Sequence, residues 1–497
     1  MGVIARHSIQ GTLVTYIGVA IGFVTTFFVL TRFLTTEEVG LARTLLDAAT
    51  LFIGLAQLGT SSSIIRFFPY FRDNGRHHGF FFWTILVPII GFAVFALVWW
   101  ACHAPLAQWL GEKSPRFVDY YWVVLPIAFF MLYQTIFETN ANVLMRIVVP
   151  RAVREIGVRV GLLAVYLLYA FQWLTLSGFV WSLCVIYAIA ALINLIYLSS
   201  LGPLSLQPDI RFLRDNKPLV KNYLFYTGFL IVSSMTGVLA PVLSSFFVTA
   251  QMGLNYTGIF AIATYIAVMV SIPYRSVTAI ASPQLAAAVK EGDRTQATML
   301  MRQCSNNLLL IGGFILLLIW LNIDFIYYVL PNGKIYSQAR EAVLLLAISQ
   351  LISATFSIAL NTLNYSRYYA FSLLWAAVLT GSAIVLNNWL VPRYGMTGAA
   401  LSNLLSTALY YVCVLATVYF TTRTSPFSWS QVKCLILLVT VFCVNALWMH
   451  YWPITDVWLS SLLRTGLLLG VAVYIAIKAH LSEEINALLH SFFVQRH

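Results

Sequence analysis

Four arginines stand inside or at the ends of long apolar runs. Arg32 and Arg43 flank the turn after the first run, Arg66 lies near the end of the second, and Arg275 lies well inside the eighth. A guanidinium stays charged in any environment and grips phosphate oxygens through a planar fork of N–H donors. These four are therefore candidate ligands for a phosphate-bearing group; the competing reading for Arg32, Arg43 and Arg66 is that they snorkel to lipid headgroups. Glu138 is the one carboxylate near the middle of an apolar run, in QTIFETNANVLM beside Asn140 and Asn142. An ionisable group at such depth costs about 2.5–3.5 kcal/mol on insertion scales and usually faces a cavity. Glu138 and Asn142 are thus candidates for coupling or substrate contact, against a buried ion pair of Glu138 with Arg66 or Arg159. Asp47 follows Arg43 at i,i+4 spacing, so it is either a third such contact or an intrahelical partner of that arginine.

The elements that must position these groups are membrane helices. Only 9% of the 497 residues are charged and 60% are hydrophobic, and the mean hydropathy is +0.84, which excludes a water-facing surface for most of the chain. A hydrocarbon core of about 30 Å takes roughly 20 apolar helical residues per crossing, and about fourteen such runs follow one another, including 44–68, 156–173 and 222–248. The fold class is an all-α polytopic membrane protein. A β-barrel is excluded because the runs are continuously apolar rather than alternating. The formal charge of +12 is spread along connecting loops, which argues against nucleic acid as a partner. With both termini cytoplasmic, about 21 of the 29 lysines and arginines fall inside, as the positive-inside rule asks. The first run carries no small-residue cleavage site and reads as a retained helix. The six cysteines are scattered and read as packing residues, and no spacing of metal ligands or cofactor motif appears.

Landmarks in the first six runs recur in the next six. Gly40, Pro69 and Gly178 have counterparts in Gly258, Pro283 and Gly398, at offsets of 218, 214 and 220 residues. An even number of runs per half makes the repeats parallel, and such repeats place a binding site between them. Residues 1–215 form an N-lobe of six spans, 216–430 a C-lobe of six, 431–480 two additional spans, and 481–497 an amphipathic cytoplasmic tail. The basic stretch at 207–222 joins the lobes. Loops are too short for a soluble catalytic domain, and no GxxxxGK[ST], HExxH or GxSxG is present, so an enzyme is not expected.

The segment VPRYGMTGAALSNLLSTALYYV at 391–412 carries Pro392, Gly395, Gly398, Ala399 and Ala400, small residues that allow two helices to pack around a tight turn. It resembles the penultimate hairpin of the polysaccharide flippases. LTRFLTTEEVGLARTLLDAATLF at 30–52, LGTSSSIIRFFP at 58–69 and IASPQLAAA at 280–288 are similar to other landmarks of that family. With the 6+6+2 layout, they mark a resemblance to the polysaccharide, O-antigen flippase-like branch of the multidrug/oligosaccharidyl-lipid/polysaccharide exporter superfamily. The resemblance implies a V-shaped pair of lobes alternating between inward-open and outward-open states in a bacterial cytoplasmic membrane. It implies a cargo of polyprenyl-diphosphate-linked saccharide, contact with membrane lipids and with polysaccharide polymerase machinery, and no cofactor. A monomer is expected, because fourteen helices can enclose their own cavity.

Two other cargoes fit the same layout. A lipid II flippase also needs a cationic cavity, though the first run here has no interior arginine. A cation-coupled drug exporter calls for a carboxylate in the first run, yet Gln10 to Thr31 holds no charge. A membrane glycosyltransferase or polymerase would need a large extramembrane loop. Tyr223, Tyr226, Tyr265, Tyr274, Tyr365, Tyr368 and Tyr369 suit either sugar stacking or interfacial anchoring. Gly18 and Gly22 form a GxxxG that reads as close packing or bending, and His77 and His78 read as solvated.

Overall fold

A computed structural model of the chain describes residues 3–71, 79–144, 146–201, 217, 242–451, 456–479 and 481. The 207–222 linker apart from Lys217, most of the run at 222–248, the His77–His78 loop and the amphipathic tail apart from Leu481 lie outside the described residues. Contacts divide the chain into two compact units, Met1–Ala261 and Ile262–His497. Among the described residues there is no β-strand, and eleven helices are long and apolar enough to cross a membrane.

In the first unit these are α1 (Val14–Phe33), α2 (Thr36–Ala56), α4 (Phe80–Ala101), α5 (Tyr121–Val143) and α7 (Leu176–Ser200), joined by the shorter α3 (Thr60–Phe71), α6 (Val158–Ala170) and α8 (Val242–Met252). The helix α9 (Leu254–Thr278) opens in this unit and continues into the next. Thr35 starts α2 with a reciprocal cap: its hydroxyl accepts from Glu38 N–H at 3.3 Å, and the Glu38 carboxylate accepts from Thr35 N–H at 2.8 Å. The apolar run at 44–68 looks continuous in sequence but is broken, because Leu58 and Gly59 take left-handed φ values of 48° and 67°. α2 ends before these residues at Ala56, and α3 starts after them at Thr60.

α5 is the hub of this unit. It packs against α2, α3, α4 and α7, and Ile127, Leu132 and Ile136 are fully buried with Leu45, Ile64 and Phe179 around them. In hydrocarbon, apolar burial alone does not drive helices together, so close packing and interhelical hydrogen bonds must. α4 faces outward with Ile90 and Leu97 exposed, as a lipid-facing helix does.

In the second unit α10 (Arg294–Leu321), α11 (Gly333–Tyr365), α12 (Ala370–Thr422), α13 (Trp429–Tyr451) and α14 (Val457–Lys478) follow α9. α10 and α11 are its central pair, α12 lies along α11, and α13 docks on α10. α12 contains two of the expected spans, separated at Gly395, whose φ of 57° and ψ of −133° no other residue adopts without strain. Ala399 and Ala400 just beyond it are fully buried, and a side chain on Gly398 would strike the Leu390 carbonyl.

The two repeat landmarks Gly40 and Gly258 meet. A Cβ on Gly40 would be driven into the carbonyl oxygen of Leu254, and one on Gly258 into that of Thr36. Each glycine therefore sits over the carbonyl four residues before its counterpart, and Thr36 Oγ1 donates to Asn255 Oδ1 at 2.9 Å beside them. The contact is self-complementary, as a crossing about a local two-fold must be. Gly40→Ala and Gly258→Ala should each destabilise the protein by about 1–3 kcal/mol through overpacking, read as a lowered unfolding temperature of the detergent-solubilised chain. An exposed Gly466→Ala, with nothing within 4 Å of the new methyl, should leave that temperature unchanged or raise it.

Candidate functional site

The hub helix carries the polar groups. Gln134, Glu138 and Asn142 recur every fourth residue and so share one face of α5. Glu138 is 7% exposed at its side chain. Opposite it the chain enters α6 through a π-turn, Val153–Gly157. The widened turn interrupts the helical phase, and such bulges concentrate at functional sites. Here the turn presents Arg154 and Glu155 together.

Arg154 bridges two buried carboxylates. Its Nη1 donates to Glu138 Oε2 at 3.1 Å and lies 3.0 Å from Oε1, while Nη2 donates to Glu155 Oε1 at 3.3 Å. Glu155, 10% exposed, also accepts from Arg159 Nη2 at 3.0 Å through its other oxygen. Two acids and two arginines alternate, so the network is neutral, and each charge has an opposite neighbour. α1 closes the far side with its GxxxG. A side chain on Gly18 would strike the Glu155 carbonyl, and one on Gly22 would stand 3.0 Å from Arg159 Nη1. The two glycines are thus the seat of the charged turn, combining close packing with polar positioning.

Other charges lie apart from this network. Arg43 Nε donates to Asp47 Oδ2 at 2.8 Å within α2, with the two side chains 22% and 10% exposed. Arg32 is exposed and stacks over Phe33 at 5.6 Å. Near the start of α2, Arg116 pairs with Glu37 at 2.9 Å, and Tyr169 donates to Glu38. Hydroxyls of Thr44, Thr249 and Thr257 link at 3.2 and 3.0 Å. In the second unit, Arg464 of α14 is 2% exposed and its Nε donates to the Ser460 carbonyl at 3.2 Å. Beside it Asn322 accepts from Ser461 and from Thr465, the latter at 3.0 Å, which ties α14 to the end of α10.

The sequence-derived candidates therefore divide. Glu138 does form an ion pair, but with Arg154 rather than with Arg66 or Arg159. Asn142 is one turn further along, with its buried Oδ1 unpartnered among the described residues. Arg43 and Asp47 hold each other. Arg66 falls in α3 and Arg275 in α9, and their side chains lie outside the described part of the structure. Arg154 and Glu155 went unrecognised because Arg154 read as one more basic residue of a connecting loop; the signal present was Glu155 and Arg159 at i,i+4 spacing.

The fold of this chain is shared with solved structures that include a member of the multidrug/oligosaccharidyl-lipid/polysaccharide superfamily. Among solved structures the chain is similar to the lipid II flippase MurJ in an inward-closed conformation, at 12% identity over 95% of this chain and 99% of that one, with a TM-score of 0.68. It is similar to a multidrug-resistance MATE-family transporter of that superfamily in an inward-facing conformation, at 14% identity over 82% and 96% of the two chains and a TM-score of 0.62. A MATE transporter from Vibrio cholerae gives 15% identity over 84% and 99%, with a TM-score of 0.57. At these identities the likeness is one of fold. No curated protein sequence matches the chain significantly. The class is a multi-pass helical membrane protein with the fold of these transporters. Residues 4–288, more than half of the chain, match the family described as "Polysaccharide biosynthesis protein", and the chain belongs to that family.

Glu155→Ala would strip both arginines of a carboxylate and should cost about 3–5 kcal/mol of stability. Arg116→Ala, which removes the partly exposed pair with Glu37 at 2.9 Å, should cost about 0–1 kcal/mol. Unfolding of the two purified variants in one detergent checks the ranking.

Proposed function

We propose that the protein is a flippase that carries polyprenyl-diphosphate-linked oligosaccharide from the cytoplasmic to the outer leaflet by alternating access, for surface polysaccharide assembly of the O-antigen and lipopolysaccharide kind. The family match over residues 4–288 carries this reading. The charge network inside the bundle supports it, because a phosphate crossing hydrocarbon unaided faces a Born penalty of tens of kcal/mol. In this reading Arg66, Arg275, Arg32 and Arg43 contact the diphosphate, Glu138, Asn142 and Asp47 serve coupling or saccharide contact, and the lipid tail stays in the bilayer. The protein sits in the bacterial cytoplasmic membrane with both termini inside, works as a monomer and delivers cargo to polymerase machinery.

Lipid II is the second cargo to consider, favoured by the likeness to the lipid II flippase over 95% of this chain. Both cargoes share the diphosphate and differ in the sugar. In proteoliposomes, a fluorescent polyprenyl-diphosphate oligosaccharide should change leaflet faster than lipid II. Arg66→Ala and Arg275→Ala should each slow it roughly tenfold, the value of one lost charge-assisted hydrogen bond. Movement of lipid II alone would replace the cargo, and extrusion of an organic cation with no movement of either lipid would overturn the flippase reading.

A further inference from the structure

We propose that Arg154 is a phosphate-receiving residue and that Glu138 is its internal stand-in, displaced when the diphosphate of a prenyl lipid binds. This deepens the flippase reading and rests on it for the cargo. The geometry is asymmetric in a telling way. The carboxylates of Glu138 and Glu155 are 7% and 10% exposed, whereas the Arg154 side chain is 47% exposed. The acids hold the guanidinium from the protein side and leave its outer edge open. Five N–H donors in a rigid fork are more than the two carboxylates take up, so an anion can approach before either one leaves.

Of the two acids, Glu138 is the one free to go. Glu155 is fixed three ways: by Arg159 at 3.0 Å, by Arg154, and by its carbonyl packed against Gly18. The hydrogen bonds of Glu138 come from Arg154 alone among the described residues, and Arg151 is within electrostatic reach of it. One turn back on the same face stands Gln134, 4% exposed, with its Nε2 buried and lacking a hydrogen-bond acceptor. A buried amide donor without an acceptor is costly. Gln134 Nε2 and Arg151 together would receive the displaced carboxylate, so the exchange leaves no charge bare. Each arginine keeps one acid, Glu138 gains a neutral donor, and the phosphate takes the vacated edge of Arg154.

The test uses the full chain in phosphatidylcholine nanodiscs with farnesyl diphosphate as the probe and farnesol as the phosphate-free control. Calorimetric titration should give binding of the diphosphate only. Glu138→Gln, which removes the competing charge but keeps the shape, should tighten it on the order of tenfold, and Arg154→Lys, which loses the fork, should weaken it by a similar factor. General electrostatics would also favour Glu138→Gln, so the decisive quantity is the coupling: the gain should disappear in the Glu138→Gln/Arg154→Lys double variant. A gain that persists there, or an unchanged affinity in Glu138→Gln, overturns the proposal. Competition by phosphatidylglycerol added to the nanodisc would also overturn it, assigning the edge to lipid headgroups. Coupling found in a protein that moves no lipid-linked saccharide keeps the site and removes the cargo; transport without coupling keeps the cargo and removes the site.

Discussion

A charge inside hydrocarbon must keep an opposite neighbour, and the first unit is arranged around that requirement. Loss of solvation for a single carboxylate costs several kcal/mol, and a Coulomb partner at about 3 Å offsets it only when the remaining lone pairs are also engaged. Glu138 and Glu155 meet this by sharing Arg154, with Arg159 closing the chain of contacts. The sharing demands three helices at once. Glu138 comes from the hub α5, the other three groups from the π-turn and first turn of α6, and α1 must come close enough for Gly18 and Gly22 to cover the turn. A side chain at Gly18 would displace the Glu155 backbone and with it the register of both arginines. The small residues on α1 and the widened turn before α6 are consequences of one electrostatic condition.

Close approach recurs near the start of α2 for a different reason. Where Gly40 and Gly258 cross, no charge needs covering; the backbones themselves are in contact. Each glycine lies above the carbonyl four residues before the other, so a side chain on either would strike the facing backbone. The Thr36–Asn255 hydrogen bond beside it adds a polar tie between the same two backbones.

Much of the helical plan was legible because it rests on length and apolarity, which local sequence carries. Eleven helices among the described residues are long and apolar enough to span a membrane, where the sequence offers about fourteen such runs, and Glu138 stood out because a lone acid in an apolar run is conspicuous. What the sequence could not convey was phase. The break sits inside a run with no proline, where Leu58 and Gly59 take left-handed φ values of 48° and 67°. The π-turn at Val153–Gly157 shifts Arg154 by part of a turn, which moves it from an apparent loop cation to the partner of a buried acid. Arg464 escaped notice similarly: it lies near the start of a span, where snorkelling is the default, yet it is 2% exposed and turned toward Ser460 and Met449. Periodicity tells which face a residue occupies only while the helix keeps its period.

The neutrality of the four-residue network bears on how a carrier of an anion returns. In the proposed cycle the loaded protein holds a diphosphate and the unloaded protein holds none, so a cavity built of cations alone would be satisfied in one half of the cycle and destitute in the other. An isolated arginine near the bilayer centre costs about 2.5–3.5 kcal/mol on insertion scales and more in simulations. An internal carboxylate removes that imbalance, since it occupies the cation when cargo is absent and yields when cargo arrives. The arrangement weakens cargo binding by the strength of the internal pair, and that weakening is useful: a flippase that bound its cargo as tightly as bare arginines permit would release it slowly. In the proposed cycle, neutral pairing of Arg154 would serve stability in the empty state and release in the loaded one through the same contact.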